Sequence, residues 1–179
     1  MRLKVLGLAV LALAAHAPAQ SRWQIVLNFG KSLENFLGSE DPRPYRHVGV
    51  AYSRPERRLR YRHLNAELVL EGYYERSTSH GVSDQPPNGT DAYGMIGYAR
   101  YRTQRLVWDI GWGLQYTDQR TVDISSRLSS TPVLAVSYSF PTKDTEILVG
   151  LRFMHISNAG LGGNNQGSNQ LGPFVAFRF

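Results

Sequence analysis

The chain has 179 residues, enough for one domain, with 42% hydrophobic residues and no cysteine, which excludes a disulfide framework and thiolate metal sites. Its 20 basic and 14 acidic residues give a formal net charge of +6, and setting aside Arg2 and Lys4 leaves 18 against 14, or about +4. That excess is too mild to argue for nucleic acid and suits a surface that meets phosphorylated lipid.

Residues 1–19 carry Arg2 and Lys4, an apolar run from Val5 to Ala15, and Ala17-Pro18-Ala19. These are the three parts of a secretory signal peptide with a small-residue cleavage site. The run is too short to cross roughly 30 Å of hydrocarbon as a helix. Residues 20–179 are accordingly expected to form one exported domain.

That remainder punctuates into eight segments of strand character separated by turn-forming clusters. In the first, Trp23, Ile25, Leu27 and Phe29 alternate with Gln24, Val26 and Asn28. A long polar loop from Lys31 to Pro44 leads to a second strand over Arg46–Ser53. The third is expected from Leu59 to Glu75, with Glu67, Glu71 and Glu75 on one face. Three carboxylates aimed into a small dry core are costly, whereas in a polar lumen they are ordinary.

After an exposed loop from Ser77 to Thr90 comes a fourth strand, Tyr93–Thr103. In the fifth, Leu106–Tyr116, an apolar face of Leu106, Trp108, Ile110, Trp112 and Leu114 alternates with Val107, Asp109, Gly111, Gly113 and Gln115. Small inward residues suit a narrow barrel. A sixth strand spans Thr131–Phe140, a turn at Pro141–Asp144 leads into a seventh over Thr145–Ser157, and an eighth runs from Leu171 to Phe179. Even strand number, alternating walls and aromatic strand ends predict an all-β fold: an eight-stranded antiparallel transmembrane β-barrel of the bacterial outer membrane. Closure removes the exposed edges of such a sheet.

Chemistry concentrates at the end of the seventh strand. His155 and Ser157, two residues apart, continue the apolar stripe of Ile147, Val149, Leu151 and Phe153, so they are expected on the outer, lipid-facing wall. Their Cα atoms are then roughly 6.5–7 Å apart, a gap that an imidazole leaning along the strand can close; taken as a pair alone, a surface imidazole and hydroxyl with no shared task is the alternative. A serine becomes a nucleophile when a neighbouring base takes its proton. Asn169 shares the parity of Leu171 and Val175, and an asparagine oxygen can accept the imidazole N–H; a turn asparagine is the alternative. Asn158, Gly160 and Asn165, in the irregular stretch after the serine, are candidate donors to an oxyanion or, equally, turn residues.

The sequence His155-Ile156-Ser157-Asn158-Ala159-Gly160, the Gly/Asn-rich run to Asn169 and the short aromatic last strand together resemble the outer-membrane lipid A 3-O-deacylases of the PagL type. The resemblance extends over essentially all of residues 20–179. It implies an esterase with His155 as base and Ser157 as nucleophile, lipid A or lipopolysaccharide as substrate, the outer membrane as location, and no metal or other cofactor. It also implies an acidic residue orienting the histidine, and that position falls on Asn169. The aromatic end Phe177-Arg178-Phe179 resembles the signal read by the barrel-assembly machinery, a closing strand with aromatic ends being the alternative, and a homodimer is compatible with such a barrel.

Two readings from other classes stay open: a non-catalytic outer-membrane barrel serving as adhesin or structural protein, and a soluble periplasmic barrel binding lipid in its interior. His47, His63 and His80 lie beside no carboxylate spacing that reads as a metal site. The cluster Arg54, Arg57, Arg58, Arg60 and Arg62 reads either as a grip on lipid phosphates or as a solvated loop. Glu146 and Asp109, the other conceivable partners of the imidazole, fall on the inner parity.

Overall fold

The computed structural model describes residues 22–34, 36, 41–61, 64–79, 88–160 and 162–179, with side chains for all of these except 54–61 and 64. The expected signal peptide, His63, His80, Arg62 and much of the two long loops lie outside the described residues.

Nine strands follow one another: β1 (Arg22–Ser32), β2 (Pro44–Tyr61), β3 (Leu64–Thr78), β4 (Gly89–Thr103), β5 (Leu106–Thr117), β6 (Leu128–Ser130), β7 (Val133–Pro141), β8 (Glu146–Ile156) and β9 (Ser168–Arg178). All pairings are antiparallel, and β1 joins β9 while β4 joins β5, so the sheet closes on itself. β6 and β7 make one barrel strand. Their register against β5 is continuous, Leu114 facing Ser130 and Gly111 facing Val133, and Thr131 between them exchanges backbone hydrogen bonds with Gly113 at 2.9 and 3.1 Å. Pro132, which has no N–H to give, interrupts the ladder. The result is the expected closed eight-stranded antiparallel barrel.

The two walls are separated by parity. Trp108, Ile110, Trp112, Leu114 and Tyr116 are exposed on β5, while Val107, Asp109 and Gln115 are buried. Leu134, Tyr138, Leu151, Leu171 and Phe177 continue the exposed apolar wall, so the greasy face points outward. The soluble barrel with an inward greasy face is thereby excluded.

The interior is filled with paired polar groups. Glu71 accepts from Arg152 at 3.0 Å and shares a hydrogen bond of 2.8 Å with His47, whose ring stacks on Tyr73. Arg100 holds Asp109 through two bonds of 2.8 Å and reaches Gln24 at 2.7 Å. Arg178 ties Glu67 to Glu146. Burying so many charges is tolerable because each finds a partner; removing one leaves the other uncompensated.

Several boundaries differ from expectation. β2 continues through residues 54–61, with a register shift between Arg54 and Arg58, and β3 begins at Leu64 instead of Leu59. The third predicted strand therefore spans a hairpin, hidden because no glycine or proline marks the reversal. β9 begins at Ser168, three residues before the expected start, which draws Asn169 into the ladder.

Both barrel termini and the short β2–β3, β4–β5 and β7–β8 connections lie at one end. The long connections, including that between β8 and β9, lie at the other. In outer-membrane barrels short turns face the periplasm and long loops the exterior. The basic cluster at Arg54–Arg60 thus sits on backbone at the short-turn end, the opposite end from His155; its side chains lie outside those described. Glu146, the first residue of β8, and Asp109, inside the barrel with Arg100, are both excluded as partners of that imidazole.

Candidate active site

His155 is the penultimate residue of β8 and lies in a row of outward positions. Cross-strand pairing sets it opposite Asn169 of β9, and its amide donates to the Pro132 carbonyl at 3.0 Å on the other side. One step toward the long loops, Ser157 exchanges backbone hydrogen bonds with Ser130 at 2.6 and 3.1 Å, and Ser130 in turn faces the exposed Leu114. One step the other way lie Leu134, Phe153 and Leu171. A histidine and a serine thus stand at the outer rim of the apolar wall, as the parity predicted.

The imidazole is positioned from two sides. Its Nδ1 pairs with Asn169 Oδ1 at 2.7 Å, and Asn169 is fully buried. An amide oxygen accepts only, so the nitrogen facing it carries the proton, and in the neutral ring this tautomer leaves the lone pair on Nε2. Gly167 packs against the far edge of the ring: a Cβ there would stand 2.7 Å from His155 Cε1, and its φ of +78° suits glycine.

Asn169 is itself held by the chain that follows β1. Its carbonyl accepts from Leu33 N–H at 2.7 Å, and its Nδ2 donates to the Phe36 carbonyl at 2.5 Å. The Phe36 ring meets Phe153 edge-on, with centroids 6.1 Å apart. This strap covers Asn169, which would otherwise stand exposed on the outer wall.

The serine is placed differently from the simplest expectation. β8 ends at Ile156, and among the described residues the Ser157 hydroxyl has Ser130 Oγ as its partner at 3.3 Å instead of the imidazole. The Ser130 hydroxyl is also within 3.2 Å of the Ser157 carbonyl. Ser157 is 8% exposed, so the hydroxyl waits beneath the surface.

The three candidate oxyanion donors fold the loop. Asn158 N–H donates to Asn165 Oδ1 at 2.7 Å, Gly160 N–H donates to Asn158 Oδ1 at 2.9 Å, and Asn158 Nδ2 donates to the Gly162 carbonyl at 2.8 Å. Ala159 (φ 54°) and Gly160 (φ 77°) turn the chain through the left-handed region. Two nominated backbone donors are therefore engaged, whereas Nδ2 of the exposed Asn165 has no partner among the described residues.

A family model described as "Lipid A 3-O-deacylase (PagL)" matches residues 47–178, a span that includes His155, Ser157 and Asn169. The chain belongs to the PagL family. A solved structure titled "Crystal structure of the outer membrane enzyme PagL" has the same fold, with a TM-score of 0.60 at 14% identity over 86% of this chain and 97% of that one. No curated protein matches the chain in sequence. Within this PagL-family barrel, Ser130, Gly167 and the Phe36 carbonyl are the contacts that sequence reading missed. Gly167 alone left a trace, as one glycine among several in the run after Ser157.

Proposed function

We propose that the protein is an outer-membrane esterase that removes an ester-linked acyl chain from lipid A, at the 3-O position, by serine–histidine hydrolysis. The observation that carries the reading is the His155–Asn169 pair on the outward wall, beside Ser157 and above an exposed apolar track of Trp112, Leu134, Leu151 and Leu171. A lipid in the outer leaflet reaches such a site without leaving the bilayer, its acyl chain lying along the track.

In this mechanism the Ser157 hydroxyl turns from Ser130 to His155 Nε2, which takes its proton as the oxygen attacks the ester carbonyl. Asn169 keeps the imidazole in the useful tautomer and accepts a stronger hydrogen bond from the imidazolium. The developing oxyanion takes a hydrogen bond from Asn165 Nδ2, while the engaged amides of Asn158 and Gly160 hold the loop that presents it. Collapse returns the proton from His155 to the departing sugar hydroxyl and leaves an acyl-serine. Water, deprotonated by the same imidazole, then releases the fatty acid and restores the serine.

Residues 1–19 act in this account as the cleaved export signal, and the aromatic C-terminal strand as the feature read by the barrel-assembly machinery. The test is mass spectrometry of purified lipid A incubated with the folded barrel. Loss of one 3-O-acyl group is expected with the native protein and not with Ser157→Ala or His155→Ala. Equal product from Ser157→Ala refutes the serine mechanism.

A second reading, a non-catalytic barrel, draws on the resting Ser157–Ser130 contact and the engaged loop amides. It predicts unchanged lipid A with every variant.

A further inference from the structure

The resemblance that identifies His155 as a base calls for an acidic partner, and this chain has asparagine there. The surroundings of residue 169 account for the change. Its side chain meets two groups of opposite demand: His155 Nδ1 at 2.7 Å, which needs an acceptor, and the Phe36 carbonyl at 2.5 Å, which needs a donor. Both are satisfied by one amide in one orientation, since turning it over sets N–H against N–H and oxygen against oxygen. With residue 169 fully buried, no solvent relieves a mismatch.

We infer that Leu33 and Phe36, in the strap beyond β1, are positioning residues of the active site, and that the Phe36 carbonyl makes position 169 specific for an amide over a carboxylate. This deepens the serine–histidine reading and rests on it. A carboxylate at 169 has no hydrogen for Phe36 and faces a carbonyl oxygen across a hydrogen-bond distance. It escapes by taking up a proton, which satisfies the carbonyl but removes the negative charge, or by pushing the strap away, which uncovers the histidine's partner. Neither gives the ordinary benefit of an acid beside imidazole. Asn169 is thus the residue this site is built to hold.

The experiment compares the full barrel with Asn169→Asp, Asn169→Ala, Phe36→Ala and Ser157→Ala, each checked for the folded, heat-modifiable form on gels. Deacylation of purified lipid A in detergent is followed between pH 5.5 and 8.5. Asn169→Asp is expected to be at least ~10-fold slower than native above pH 7, because displacements of about 1 Å in an active site cost up to ~100-fold. The ratio of its rate to native is expected to rise as pH falls and the acid becomes a donor to Phe36. A rate for Asn169→Asp equal to or above native at pH 8 overturns the inference.

Should Asn169→Asp fail to fold, Phe36→Ala decides. Loosening the strap is expected to lower kcat about tenfold with KM little changed, and to weaken the Nδ1–H signature of His155 in ¹⁵N spectra. An unchanged kcat with an unchanged signature overturns the inference. Activity in Ser157→Ala sinks the parent reading instead, so the two failures are distinguishable.

Discussion

Gly167→Ala isolates the contribution of imidazole placement. The added Cβ would lie 2.7 Å from His155 Cε1, where ordinary contact begins near 3.4 Å, so the ring must withdraw by about 0.7 Å or the loop must move. A non-glycine residue at φ +78° adds roughly 1–2 kcal/mol of backbone strain. Because displacements near 1 Å cost about 10²-fold in rate, kcat is expected to fall ~10- to 100-fold while KM moves little. Gly162→Ala serves as control, since Gly162 also has a left-handed φ, +114°, but an added Cβ meets nothing within 4 Å. The assay is the initial rate of fatty-acid release from lipid A micelles, normalised to the folded fraction of each variant. Gly167→Ala folded and within twofold of native, with Gly162→Ala equally affected, would falsify the claim that Gly167 exists to seat the histidine.

Three other perturbations probe separate parts of the account. Ser130→Ala removes the resting partner of Ser157, a neutral hydrogen bond worth ~0.5–1.5 kcal/mol, so labelling of Ser157 by a fluorophosphonate is expected to quicken about 2- to 10-fold; a tenfold loss makes Ser130 part of the chemistry. Glu71→Ala leaves Arg152 and His47 without their shared carboxylate inside the barrel and is expected to destabilise by ~3–5 kcal/mol, read as a lower urea midpoint with catalysis retained in the folded fraction. Ile110→Arg sets a cation on the lipid-facing wall and is expected to cost about 2–4 kcal/mol when folding into vesicles, and much less in detergent.

Closure and wall parity were legible in the sequence because lumen and lipid impose opposite demands on alternate residues. Leu106 to Tyr116 shows the alternation at its clearest, and the inward carboxylates Glu71 and Glu75 appear where expected. The β2–β3 reversal was not legible, because Leu59 to Leu64 lacks the glycine or proline that usually marks a hairpin. His155 and Ser157 were nominated from the His155–Gly160 stretch and the family resemblance it carries, and Asn169 from the position where that resemblance expects an acid; parity placed all three on one wall. The partners that tune them come from distant segments: Ser130 through the β6–β8 register, and Phe36 through a strap 133 residues away from Asn169 in sequence. Periodicity along one strand says nothing about such contacts. The serine's resting partner was not legible for a related reason, since β8 ends one residue before Ser157 and Ser130 belongs to another strand.

The central claim is that Ser157 is an activated serine at the bilayer rim. The most direct measurement is intact and peptide mass spectrometry of the barrel, reconstituted in lipid vesicles and treated with a fluorophosphonate. A single adduct on Ser157, lost in His155→Ala, is the result this account predicts. A native barrel, folded and supplied with lipid, whose Ser157 stays unmodified or is modified equally without His155, contradicts it.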